Sequence, residues 1–80
     1  MIQLGKYQHY KGQKYNVIGF AHDTETRSAL VLYKPLYPVP ELEKMYNNDV
    51  IFARPLTMFS EQISVNGTLT KRFTLIDPQP

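Results

Sequence analysis

Residues 62–76, which read QISVNGTLTKRFTLI, carry the strongest local fold signal in the chain. Asn66-Gly67 separates two stretches of alternating apolar residues, and both residues accept the positive φ angles that a tight type I′ turn requires. We therefore predict a β-hairpin that turns at Asn66-Gly67. Four apolar side chains should face the core in opposing pairs, with Ile63 and Val65 against Phe73 and Leu75.

In the rest of the chain, turn-forming residues recur at intervals that suit short strands. Gly12 can supply the positive φ of a first hairpin turn. In residues 14–22 both alternating sets contain apolar side chains, which predicts a strand covered on both faces. β-propensity, proline positions and apolar spacing predict the other segments. We expect strands at 7–10, 29–33 and 49–54, and a loop or edge strand at 35–40. We also expect a short helix at 40–46, a helical turn at 56–59 and a frayed tail at 77–80.

These elements predict a mainly β fold. Five to six antiparallel strands and one short helical turn suit a small SH3-like barrel or a strongly curved antiparallel sheet, with an OB-like barrel as second choice. A chain of 80 residues can fill one core but not two. We therefore expect a single small β domain over residues 1–80, with an ordered core at about 5–76.

Composition excludes several kinds of chemistry. The chain has no cysteine, so it offers no disulfide, thiol nucleophile or thiolate metal site, and we expect a cytoplasmic protein. No apolar run suits a signal peptide or a membrane span, so we expect no membrane contact. The formal net charge is only +2, although residues 1–22 hold lysines and both histidines without an acid. We expect no cofactor.

The polar residues best suited to binding or catalysis lie near the predicted hairpin ends. We interpret seven of them as a candidate binding site: His9, Tyr10, Lys11, His22, Thr24, Glu25 and Arg54. Catalytic residues cannot be assigned, because the chain has no Ser–His–Asp signature. An arginine could instead be structural, with Arg54 or Arg72 bridging to Glu25 or Glu61.

Two alternative functions remain open at this point. His9, His22 and Glu25 could serve a small metal-dependent or acid–base hydrolase, although HxH and HExxH spacings are absent and we expect no bound metal. The polar residues at 22–26 equally suit hydrogen bonds to turn amides. A nucleic-acid-binding barrel would explain why tyrosines alternate with lysines near the N-terminus: Tyr7, Tyr10 and Tyr15 with Lys6, Lys11 and Lys14.

Five motifs follow one another along the chain: Gly5-x-Tyr7-x-His9-Tyr10-Lys11-Gly12, Tyr15-x-Val17-x-Gly19-x-Ala21-His22-x-Thr24-Glu25-Thr26, Tyr33-x-x-Leu36-Tyr37, Arg54-Pro55-Leu56-x-Met58-Phe59 and Arg72-Phe73. In this order they resemble one bacterial family of unknown function, DUF1653. The resemblance implies a short bacterial protein without an assigned activity, and a site, if present, at His9, Lys11, His22, Thr24, Glu25 and Arg54. Two departures are Phe52-Ala53, where the family usually shows Trp-Val, and a longer loop at 38–49.

The interpretation that best accommodates these observations is a non-enzymatic binding or interaction module. Its partner would be a protein or a small ligand, bound at the polar edge that the candidate residues form. An exposed edge strand could also pair with a second copy, so a homodimer is a further expectation.

Overall fold

The computed structural model describes residues 2–79, in which seven strands and two short helices follow one another along the chain. Their bounds are β1 Gly5–His9, β2 Lys14–His22, β3 Ala29–Pro35, α1 Pro40–Met45, β4 Phe52–Pro55, α2 Leu56–Phe59, β5 Gln62–Val65, β6 Thr68–Lys71 and β7 Phe73–Pro78.

Five strands form one antiparallel sheet in the order β4-β3-β2-β1-β7, while β5 and β6 form a separate two-stranded hairpin. The mainly β prediction is confirmed, in its curved-sheet form. The sheet is open, because β4 and β7 remain at its two edges, so the described chain contains no closed barrel. The described chain has seven strands instead of the expected five to six, and α1 confirms the short helix predicted at 40–46.

The five-stranded sheet curves strongly around its inner face, the face that packs on α2. Tyr33 in β3 and Phe73 in β7 are three strand spacings apart, which is about 14 Å in a flat sheet. Their ring centroids are nevertheless only 5.6 Å apart. Register shifts at Lys6/Tyr7 and Val17/Gly19 are the bulges that bend strands in this way.

The core lies on this inner face and is dominated by aromatic rings. Phe59 of α2 is 2% exposed and stacks on Phe73 at a centroid distance of 4.0 Å. Pro55 ends β4 and precedes α2, so the predicted helical turn at 56–59 presses Phe59 into the core as expected. The buried cluster comprises Tyr7, Tyr15, Val17, Val31, Tyr33, Phe59 and Phe73.

The prediction that residues 14–22 are covered on both faces is wrong. Ile18 lies on the outer face and remains 38% exposed. The bulge after Val17 also changes the alternation, because Phe20 pairs with Val31 and therefore shares the inner face with it. Sequence alternation alone placed Phe20 on the opposite face from Val17.

The hairpin at Asn66-Gly67 is confirmed, with φ angles of 52° and 79°. Its pairing differs from the prediction, because the expected strand over 68–76 is interrupted at Arg72. Ile63 and Val65 therefore oppose residues of β6, Thr70 and Thr68, instead of Phe73 and Leu75.

The expectation of a frayed tail is also wrong for the residues that the structure describes. Asp77 and Pro78 belong to β7 and pair with Lys6 and Gly5. The Gln79 backbone N–H continues this edge by donating to the Leu4 carbonyl at 3.1 Å. The last residue of the predicted tail, at position 80, lies outside the described residues.

Between residues 2 and 79, neither helix has the length and apolar character needed to cross a lipid bilayer.

Candidate functional site

The turn between β1 and β2 positions His9, Tyr10 and Lys11. The Gly12 N–H donates to the His9 carbonyl at 2.7 Å, and Gly12 adopts a φ of 107° that favours glycine. The Lys11 backbone N–H donates to His9 Nδ1 at 3.2 Å. Since Nδ1 accepts a hydrogen bond, the neutral His9 ring carries its proton on Nε2.

Cations and burial keep the His9 ring neutral. Burial lowers the pKa of His9 below its ordinary value of 6.5, and the charges of Arg54, Arg72 and Lys11 lower it further. Three cationic side chains are therefore near enough to the imidazole to act on its charge. Two of them, Arg54 and Arg72, come from distant parts of the sequence.

The ring of Phe73 is the common contact of His9 and Arg54. His9 meets Phe73 edge-on at a centroid distance of 5.0 Å, and the guanidinium carbon of Arg54 lies over the same ring at 5.4 Å. The His9 ring and the Arg54 guanidinium are therefore at most 10.4 Å apart, the sum of these two distances. The structure thus places Arg54 against the same ring as His9, the residue at the start of the first turn.

The two arginines singled out in the sequence have different environments. Arg72 forms an ion pair with Glu61 at 2.6 Å and donates through Nε to the Met58 carbonyl at 3.1 Å. Arg54 instead donates through Nε to the Tyr33 hydroxyl at 3.1 Å. In the described part of the chain, no carboxylate lies within ion-pair distance of Arg54. The structural role expected of one arginine therefore belongs to Arg72.

The turn between β2 and β3 holds the remaining candidates, and its polar groups are used locally. The Asp23 carboxylate accepts hydrogen bonds from the Glu25 N–H at 2.9 Å and the Thr26 N–H at 3.3 Å, which lower the pKa of Asp23. The Thr26 hydroxyl accepts from the Ser28 N–H at 3.3 Å. These bonds fit the expectation that the polar stretch satisfies turn amides. His22, Thr24 and Glu25 are exposed.

The seven candidate residues therefore fall into two groups. Gln8 pairs with Lys14, so His9 lies beside the start of β2, whereas His22 is the last residue of β2. A nine-residue strand is roughly 25 Å long and separates the two imidazoles. Within residues 2–79, no three His, Asp or Glu side chains are grouped so that they could hold a metal ion. One shared site for both histidines is not formed.

The aromatic residues proposed for base stacking are mostly unavailable. Tyr7 and Tyr15 are 6% and 8% exposed and belong to the core. Tyr10 is 37% exposed, and the Lys11 ammonium lies 5.8 Å from its ring centroid. One of the three predicted stacking rings thus remains accessible.

A shallow groove beside Tyr10 was not predicted. It has a volume of about 370 Å³ and runs between the first turn and β7, with Gln8, Thr70, Thr74 and Ile76 in its lining. Tyr33, which holds Arg54, was also missed as a site residue. Tyr33 lies two residues after Val31, a spacing that places both side chains on one face of a strand. Its hydrogen bond to a residue on the next strand leaves no local signal in the sequence.

Comparison with known proteins identifies relatives. The family model described as a protein of unknown function, DUF1653, matches residues 5–75. A crystal structure of a DUF1653 protein from Bordetella bronchiseptica is 25% identical and superimposes with a TM-score of 0.79, covering 99% of this chain and 92% of that one. No match was found among curated proteins.

Proposed function

Because the chain belongs to the DUF1653 family, whose function is unknown, we propose from its own geometry that it is a non-enzymatic binding module. Its partner, a protein or a small ligand in the cytoplasm, contacts His9, Tyr10, Lys11 and Arg54. We call these four residues the first-turn site.

The observation that carries this proposal is the environment of Arg54. Its guanidinium is half-buried, is held by Tyr33 and rests on Phe73, yet no described carboxylate neutralises it. Half-buried cations are usually paired, since desolvation penalises an isolated charge. An unpaired guanidinium beside a polar turn is therefore well suited to an external partner.

The rest of the first-turn site supports the same role. Tyr10 and Lys11 are exposed, and His9 and Tyr10 also line the groove, whereas Arg54 does not. The groove is open and shallow, which suits an extended partner surface more than an enclosed substrate.

The hydrolase alternative has less support. General acid–base catalysis requires two groups within hydrogen-bond reach of the same substrate. His9 and His22 lie at opposite ends of β2, and Glu25 lies beyond His22 in the second turn. The nucleic-acid alternative is also weaker, because Tyr7 and Tyr15 are core residues.

A fragment screen by proton–nitrogen NMR tests the proposal. Binding fragments should shift the amide signals of residues 9–12 and the Arg54 side-chain signal, and Arg54→Gln should remove these shifts. The matched control is Glu25→Gln in the second turn, which should leave the shifts unchanged.

Three results would overturn the proposal. The first is that fragment shifts cluster at the second turn. The second is a single-stranded oligonucleotide that binds with steep salt dependence while Arg54→Gln has no effect. The third is substrate turnover that Glu25→Gln abolishes.

A further inference from the structure

We propose that the chemical group recognised by the first-turn site is a carboxylate, held between the terminal nitrogens of Arg54 and Nε2 of His9. This inference rests on the proposed function and specifies its ligand class. Both an acidic side chain of a partner protein and a free small carboxylic acid carry this group.

The available donors define the site. The Nε of Arg54 is occupied by the Tyr33 hydroxyl, which leaves the N–H groups of its two terminal nitrogens. His9 contributes a further donor at Nε2, because its Nδ1 accepts the Lys11 N–H. Neither the terminal nitrogens of Arg54 nor Nε2 of His9 donates a hydrogen bond within the described chain, and both side chains contact Phe73, so both groups of donors are available to an oxyanion.

The orientation of Arg54 is fixed by buried rings. Phe59 stacks on one face of Phe73 at 4.0 Å, so the guanidinium must lie over the opposite face. Tyr33, Phe59 and Phe73 are 3%, 2% and 6% exposed and belong to one rigid cluster. A guanidinium held in this way loses little freedom on binding, which favours a planar two-oxygen partner that matches its fork.

The local charge favours a carboxylate over a phosphate. The charge of Arg72 is offset by Glu61 at 2.6 Å. His9 is neutral, since burial and the surrounding cations lower its pKa. Lys11 is exposed and lies over the Tyr10 ring. The half-buried part of the site therefore carries about one uncompensated positive charge, which matches a monovalent carboxylate better than a phosphate dianion.

A titration with four probes tests the inference at pH 7 and constant ionic strength. The probes are N-acetylglutamic acid α-amide, propionate, inorganic phosphate and N-acetylglutamine amide. The two carboxylates should shift the signals of Arg54 Nε and the His9 ring saturably, and the uncharged amide should not. The tighter of the two carboxylates indicates the source, because each carries one negative charge, the first mimics a protein side chain and propionate is a free small acid.

Variants at position 54 separate recognition from simple charge. Arg54→Lys keeps the charge but loses the planar fork, and it should weaken carboxylate binding about tenfold. Arg54→Gln should abolish binding. Lys34→Gln, a lysine change on the outer face, is the matched control and should bind as the wild type does. Unchanged melting curves show that each variant remains folded.

Three results decide against the carboxylate. Tighter binding of phosphate, equal binding of the glutamine amide, or unchanged affinity in Arg54→Gln would each overturn it. If carboxylates fail while screened fragments still bind at the first-turn site in an Arg54-dependent way, the ligand class is wrong and the binding module stands. If both fail, the proposed function falls as well.

Discussion

The guanidinium carbon of Arg54 lies 5.4 Å from the ring centroid of Phe73, although these residues belong to the two edge strands of the sheet. In a flat five-stranded sheet the two strands would be about 19 Å apart. Curvature of the sheet therefore creates the contact. The same contact places an unpaired cation beside the first turn, so the fold and the candidate site share one cause.

Gly5 tests how closely β1 and β7 approach each other. Gly5 has a φ of 138°, and an added Cβ would lie 2.5 Å from the backbone oxygen of Asp77. Gly5→Ala should therefore lower the free energy of unfolding by about 2 kcal/mol or more, because β7 must move or the backbone must change. Urea denaturation measures this effect. Gly19→Ala, where an added Cβ meets nothing within 4 Å, should change stability by about 0.5 kcal/mol at most. Equal effects at both glycines would contradict the close approach of β1 and β7.

The aromatic core should depend strongly on α2. Phe59→Ala removes a ring that is 2% exposed and stacked on Phe73, and should cost about 3–5 kcal/mol. Met58 is the neighbouring control, since its side chain is 43% exposed, and Met58→Ala should have a small effect. Chemical denaturation followed by circular dichroism compares them. Phe59→Leu provides a milder change if the alanine variant does not fold, and it should still be less stable than Met58→Ala.

The lowered pKa of His9 predicts how stability changes in mild acid. The unfolded chain takes up a proton near the ordinary pKa of about 6.5, whereas folded His9 resists protonation until lower pH. The free energy of unfolding should therefore fall as the pH drops from about 6.5 towards the pKa of folded His9. His9→Gln should remove this part of the slope, and His22→Gln should keep it. Denaturation at several pH values measures the slope, and a wild-type slope in His9→Gln would exclude the assignment.

Tyr15 should contribute in the opposite pH range. Its hydroxyl lies 2.8 Å from that of Tyr37, and burial followed by this hydrogen bond raises the pKa of Tyr15. Tyr15→Phe should cost about 1 kcal/mol at neutral pH. Above about pH 10 the unfolded phenol ionises while the folded one stays protonated, so the wild type loses stability and the difference narrows. Tyr46→Phe, at a side chain that is 54% exposed, is the control. A difference that widens with pH would argue against a raised pKa.

Local chemistry explains which predictions from the sequence succeeded. Asn66-Gly67 turns because those two residues tolerate positive φ, and α2 begins after Pro55 because proline ends β4. The bulge after Val17 could not be predicted, since a register shift depends on the strand opposite. The same holds for Asp77, which is polar by composition and joins the sheet only because β1 offers it an open edge.

The candidate site was predicted in part, for a related reason. The motifs named His9 and Arg54, which contact the same ring, Phe73, and they named Lys11, whose ammonium lies over Tyr10. They also named His22 and Glu25, which lie at the far end of β2. Polar residues at both hairpin ends give the same kind of signal in the sequence. Only the fold shows that β2 runs from one group of candidate residues to the other and keeps them apart.

The sequence by itself determined the turns, the mainly β class and the absence of thiol chemistry, because each of these depends on residue type and near neighbours. Only the tertiary structure decided that Arg54 and His9 contact the same ring, Phe73, while His22 lies at the far end of β2. That choice depends on strand order, bulges and sheet curvature, which arise from pairing between segments far apart in the chain.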